Sequence, residues 1–179
     1  MAKEHAAALK AMALCGTLAD AEIEAIAAIA EMQDVAAGKD LFREGDAGDG
    51  LYLVLEGEID VVKRGPHGDR SLARLGAGAI LGEISLLTNE VRSATGRALV
   101  GSRVLRLPAQ RFRALLDAAA PATLKIVAAI AEVLAHRLVE MNNKVIEIAD
   151  NADARGKTAP GLDDKKLAEL HRTMQIWSF

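Results

Sequence analysis

Between about residues 35 and 107, glycine interrupts every apolar stretch before it grows long. Gly38, Gly45, Gly48, Gly50, Gly57, Gly65, Gly68, Gly76, Gly78, Gly82, Gly96 and Gly101 leave short runs such as 51–55, 59–62 and 104–107. Runs this short, ended by residues that turn the chain, suit strands rather than helices. Their even spacing predicts an antiparallel roll or barrel and argues against a parallel sheet. Gly65-Pro66-His67-Gly68-Asp69 has the composition of a hairpin loop.

Helical patterns flank this segment. Residues 2–14 and 20–32 read as helices, the second with Asp20 as N-cap and Ile23, Ile26, Ala27 and Ala30 on one face. A helix over 109–118 follows the roll, and Pro121 stands where the first turn of another helix accepts it. The expected fold is therefore α+β: an antiparallel β-roll or jelly roll of about eight strands, with N-terminal helices and a long C-terminal helix. The predicted domain is 1–150, divided into helices 2–32, roll 35–107 and helices 109–150.

Over 121–150, Leu124, Val127, Ala131, Leu134, Leu138, Met141, Val145 and Ile148 repeat at spacings 3-4-3-4-3-4-3. A heptad sustained this long predicts a coiled-coil seam and a homodimer. Ile126, Ile130 and Val133 form a second apolar stripe on an adjacent face. One helix thus has two surfaces to bury, and at 1.5 Å per residue it runs about 45 Å. Residues 151–161 have linker composition. In 162–179, Leu167, Leu170, Met174 and Trp177 recur at helical spacing, which predicts a short amphipathic segment.

Composition narrows the function classes. A net charge of −3 gives no general attraction to nucleic acid or an acidic membrane. The single Cys15 can form neither an intramolecular disulfide nor a metal cluster, which fits a reducing compartment. No secretion signal and no apolar run of about 18 residues is found, so the expectation is a cytoplasmic protein with no membrane partner. His5, His67, His136 and His171 are scattered and read as surface residues. No nucleophile–base pair and no metal-ligand spacing emerges, so neither an enzyme nor a catalytic cofactor is expected.

The chemistry concentrates in GAILGEISLLTNEVRSATGRA, residues 78–98. Gly82-Glu83 open a short helix, and nine residues beyond Glu83 comes Arg92, followed by Ser93 and Ala94. A cyclic phosphate keeps its charge at neutral pH, so burying it takes a permanent cation and N–H donors. Arg92 offers a planar fork for two charge-assisted hydrogen bonds. Gly82 lets backbone approach a ligand closely, Ser93 adds a donor and Ala94 keeps the wall small. Glu83 is suited to accept from a ribose 2′-OH, and would discriminate against deoxy analogues by being left unpaired. Taken alone, the same residues also fit a surface ion pair on a loop.

The cassette GEISLLTNEVRSAT resembles the phosphate-binding cassette of cyclic-nucleotide-binding domains. Residues 35–46, VAAGKDLFREGD, and 51–61, LYLVLEGEIDV, resemble that family's roll signature, with Gly45 and Gly57 as turn glycines. The likeness covers roughly 14–150 and is similar in particular to the sensor half of catabolite-activator-type regulators. It implies that Glu83 binds the ribose, that Arg92 and Ser93 bind the phosphate, and that Gly82, Ile84 and Ser85 donate backbone N–H groups. It places Val61, Leu72 and Ala73 on the purine wall and Arg137, Met141 and Asn142 on a helical lid. Serine beside the arginine is found in cAMP receptors of the family and threonine favours cGMP, so Ser93 leans towards cAMP. The chain departs from the pattern at Leu81 (usually Phe), Val91 (usually Pro) and Gly96 (usually β-branched).

The 28 residues after Asn151 contain no second helix pair, so the winged helix-turn-helix of the family's transcription factors is not expected, nor direct DNA binding. The reading that follows is a stand-alone receptor for cAMP or cGMP. It signals to an unidentified effector protein by ligand-dependent rearrangement of its C-terminal helices. The alternative is a degenerate, non-binding domain acting as a dimeric scaffold.

Overall fold

Two four-stranded antiparallel sheets account for the glycine-punctuated segment. In the computed structural model, which describes residues 2–66 and 68–154 (side chains only to 147), the strands are β1 (Glu31–Val35), β2 (Asp40–Phe42), β3 (Gly50–Glu56), β4 (Glu58–Gly65), β5 (Gly68–Gly76), β6 (Ile80–Leu81), β7 (Thr95–Ala98) and β8 (Ser102–Pro108). One sheet has the order β1-β8-β3-β6 and the other β2-β7-β4-β5. The helices are α1 (Ala2–Lys10), α2 (Asp20–Ile29), α3 (Glu83–Thr88), α4 (Ala109–Asp117) and α5 (Pro121–Ala154), with a 3-10 turn at Ala13–Cys15. The α+β roll expected from the sequence is thus present, and no single helix among the described residues is long and apolar enough to cross a membrane.

Alternation along β3 and β8 builds the core. Tyr52, Val54 and Val104 join Val35, Ile59, Leu81 and Ala98 between the sheets, with Leu41, Phe42 and Leu75 at the edge. Leu51, Leu53, Leu105 and Leu107 lie on the opposite faces of β3 and β8, which contact α2 and α4, and are fully buried. Successive strand residues point to opposite faces, so one strand serves both layers. Gly45 and Gly57 have φ of +87° and +88°, as turn glycines should. A side chain at Gly57 would also collide with Ser102.

Several boundaries differ from the sequence reading. The helix expected over 2–14 ends at Lys10 and gives way to the 3-10 turn. The helix expected over 20–32 stops at Ile29, because Ala30 turns extended (ψ 151°), and β1 begins four residues before position 35. Asp20 is the first helical residue rather than the cap: Ala19 is the cap, and its N–H donates to Glu22 Oε2 at 2.7 Å. His5 is buried, not on the surface, with Nδ1 3.3 Å from the Ala27 carbonyl. Cys15 is also buried, and burial pushes its thiol up to about 11, which keeps it an inert core group.

Contacts divide the chain into Met1–Ile130 and Ala131–Phe179. Pro121 opens α5 as expected, and Ile126 and Ile130 of the second apolar stripe are fully buried. On the heptad face Leu124 is 50% exposed, while in the second unit Leu138 and Met141 are also exposed. The helix continues to Ala154, four residues beyond the expected end. The remainder of the linker, 155–161, and the segment 162–179 lie outside the described residues.

Candidate functional site

The cassette hangs between β6 and β7 and is organised by one buried guanidinium. Gly82 precedes α3 in the left-handed conformation (φ +83°), where a side chain would strike the Arg92 guanidinium and come within 2.9 Å of the Gly50 carbonyl. Only glycine satisfies both constraints. Arg92 is 2% exposed. Its Nη1 donates to the Gly82 carbonyl at 3.1 Å and to Ser85 Oγ at 2.8 Å, and its Nη2 donates to the Gly50 carbonyl at 2.7 Å and pairs with Asp49. The guanidinium carbon lies 4.1 Å from the Phe42 ring centre and 5.4 Å from that of Tyr52. A delocalised, weakly hydrated cation can be buried in this way where an ammonium could not. Arg92 Nε, also buried, has no hydrogen-bond partner among the described residues.

Asp49 gathers this network although nothing in its local sequence marks it. It accepts from Arg92, from the Tyr52 hydroxyl at 2.7 Å and from Arg106 Nη1 at 2.8 Å. Burial alone would raise its carboxyl, but the Tyr52 hydroxyl and the Arg92 and Arg106 guanidiniums outweigh it and hold the group below the usual carboxylate range. Tyr52 moves the other way, pushed up to about 12 by burial and by the carboxylate it faces.

Gly82, Glu83, Ser85 and Arg92 therefore come together, with Glu83 4% exposed at the start of α3. Ile84 points outward, 41% exposed, while Ala94 is buried. The Ser93 side chain is exposed and its carbonyl accepts from Lys63 Nζ at 2.6 Å, so Lys63 adds a second cation beside the cassette. Lys63 is itself paired with Glu44 at 2.9 Å. Beside Val91, the backbone of Arg92 is tied to 45–46: its N–H donates to the Asp46 carbonyl at 2.8 Å and its carbonyl accepts from the Gly45 N–H at 2.9 Å. Gly96 does not break its strand. It lies inside β7, buried, where a side chain would crowd Leu81 and the Phe42 ring at 3.1–3.3 Å.

Of the expected purine wall, Val61 pairs with Ala73 on one side and Gly96 on the other. Leu72 is the extra residue where the β4–β5 register shifts, and it is 62% exposed. Arg137, Met141 and Asn142 belong to α5 within the second unit, Arg137 and Asn142 half-buried and Met141 exposed.

Comparison with known proteins points to one family and fold. The sequence model of the cyclic nucleotide-binding domain matches residues 32–119. The cyclic AMP receptor protein of Thermus thermophilus is 35% identical over 127 residues, 70% of this chain but 56% of its own length, so this chain spans little more than half of that relative. A cyclic nucleotide-binding domain of Methylobacillus flagellatus superposes with a TM-score of 0.70 at 26% identity, covering 82% of this chain and 83% of that one. A cyclic nucleotide-binding-like protein of Brucella abortus is 30% identical, with a TM-score of 0.55, over 64% of this chain and 98% of its own. With roll, cassette glycine and buried arginine in place, this chain belongs to the cyclic nucleotide-binding domain family.

Proposed function

We propose that the domain is a regulatory receptor that takes a cyclic nucleotide, cAMP in preference to cGMP, at Gly82–Ser85 and Arg92–Ala94. The observation that carries this reading is the convergence of a left-handed Gly82, a buried Glu83 and the Arg92 fork on one short helix start. The orphaned Arg92 Nε supports it as well: a buried donor without an acceptor is costly, and a phosphate oxygen is a suitable partner. Glu83 takes the ribose hydroxyl, Ser93 the phosphate, and Val61, Leu72 and Ala73 flank the purine. The name of the Thermus relative supports cAMP, as does serine at position 93.

On this reading the domain dimerises through the heptad face of 121–150, on which Leu124, Leu138 and Met141 are exposed. Arg137, Met141 and Asn142 close over the base, and occupancy is passed to a partner protein by a shift between two helix arrangements. The scaffold reading retains one observation in its favour. Both Nη atoms of Arg92 already have partners in Asp49, Gly50, Gly82 and Ser85, so protein alone can keep the side chain in place. Calorimetry with cAMP and with cGMP separates the two. The receptor predicts saturable heat with at least one nucleotide, and silence with both at about millimolar ligand, a free energy near −4 kcal/mol, refutes it.

A further inference from the structure

Arg113 reaches back from α4 to the far end of the cassette helix. Its Nη1 donates to Asn89 Oδ1 at 2.5 Å, and its Nη2 lies 3.2 Å from both the Ser85 and the Leu86 carbonyls. Asn89 caps α3 in the left-handed conformation (φ +61°), with its own N–H on the Ser85 carbonyl at 3.2 Å. The last carbonyls of a helix lack intrahelical donors, and a guanidinium there satisfies them and complements the negative end of the helix. Ser85 is consequently held from two sides: Arg92 grips its hydroxyl and Arg113 its carbonyl.

We propose that Arg113 is a positioning residue for the nucleotide site. It clamps the C-terminal end of α3 to α4, so that any change in how Arg92 engages Ser85 is transmitted to α4. This rests on the nucleotide-binding reading for its purpose, though not for its geometry. A second polar route runs from Arg111 through Glu31 and Arg106 to Asp49, but its ion pairs are solvent-exposed, with Arg111 56% and Glu31 42% exposed. Exposed pairs couple weakly. The clamp on α3 adds to the Asn89 side chain two backbone acceptors, the Ser85 and Leu86 carbonyls, which cannot swing away as side chains do.

The test compares wild type with Arg113→Gln, Arg113→Lys and Asn89→Gly, the last removing the side-chain acceptor while keeping a left-handed cap. Amide hydrogen exchange in the ligand-free protein should accelerate over 84–90 in Arg113→Gln while β3 and β8 stay unchanged, and Arg113→Lys should recover part of the protection. If the unclamped cassette is competent a tenth of the time, cAMP affinity falls about tenfold. Asn89→Gly should give a smaller effect that adds nothing on top of Arg113→Gln. Exchange over 84–90 within about twofold of wild type in Arg113→Gln overturns the proposal. Should that variant not fold, unchanged exchange in Asn89→Gly overturns it equally. If wild-type protein takes up neither nucleotide, the receptor reading fails, and the exchange arm alone still decides for or against the clamp.

Discussion

Replacing Arg92 with alanine should damage the protein before any ligand is added. Its guanidinium is 2% exposed and donates to the Gly50 carbonyl, the Gly82 carbonyl and Ser85 Oγ. After truncation Gly82 O keeps donors in Ser85 Oγ, at 3.1 Å, and in the Leu86 N–H, at 3.3 Å, whereas Gly50 O loses the donor that Arg92 provides. One stranded carbonyl costs about 1–3 kcal/mol. A cavity under Phe42 and Tyr52 adds to this, while Asp49, with a side chain 41% exposed, relaxes towards water and so holds the cost below that of a fully buried broken pair. The expected loss is about 2–4 kcal/mol, a large share of the 5–15 kcal/mol typical of a domain. Arg92→Lys keeps the charge but cannot reach Gly50 O, Gly82 O and Ser85 Oγ together, and should lose about 1–2 kcal/mol. Urea unfolding of the ligand-free protein followed by far-ultraviolet circular dichroism measures both. An alanine variant within about 0.5 kcal/mol of wild type would refute the inward guanidinium. The same data guard the binding assay, since lost affinity in Arg92→Ala means a lost phosphate contact only if the variant is folded.

Two further outcomes follow from the same network. Gly96→Val should destabilise by about 1–3 kcal/mol, since its Cβ alone would sit 3.1 Å from Leu81 and 3.2 Å from the Phe42 ring that covers Arg92; a thermal melt showing equal or greater stability contradicts this packing. Asp49, held below the usual carboxylate range, contributes stability that is present above an unfolded pKa of about 3.9 and is lost as pH falls through its depressed folded value. Asp49→Asn should therefore flatten the acid limb of a urea-midpoint profile over about pH 2–5, and a limb as steep as wild type removes Asp49 from the account.

Residues whose constraints are local were legible in the sequence. Gly45, Gly57 and Gly82 announce turns because a positive φ is a property of one residue. Glu83 and Arg92 stand out because a short helix start lies between them. Arg92's distant partners were not legible: Asp49 and Gly50 are 43 and 42 positions away, and only the pairing of β3 with β6 and β8 brings them near. Arg113 escaped for the same reason, its acceptors lying 24 to 28 residues upstream. At Ala30 the chain turns from helix to strand with no glycine or proline to mark it, and β1 (EMQDV) is too polar to read as a strand. At Gly96, where the family pattern has a β-branched residue, the sequence gives no sign that Leu81 and the Phe42 ring already fill the space.

β5 forms the outer edge of its sheet and pairs along one side only, with almost every residue exposed. An open edge of that length is a template on which a second copy of the chain could add a strand and begin to aggregate. Asp69, Arg70 and Arg74 place charge along it. Two such edges approaching in register would bring arginine against arginine, a repulsion that allows the strand to remain uncovered without recruiting its own kind.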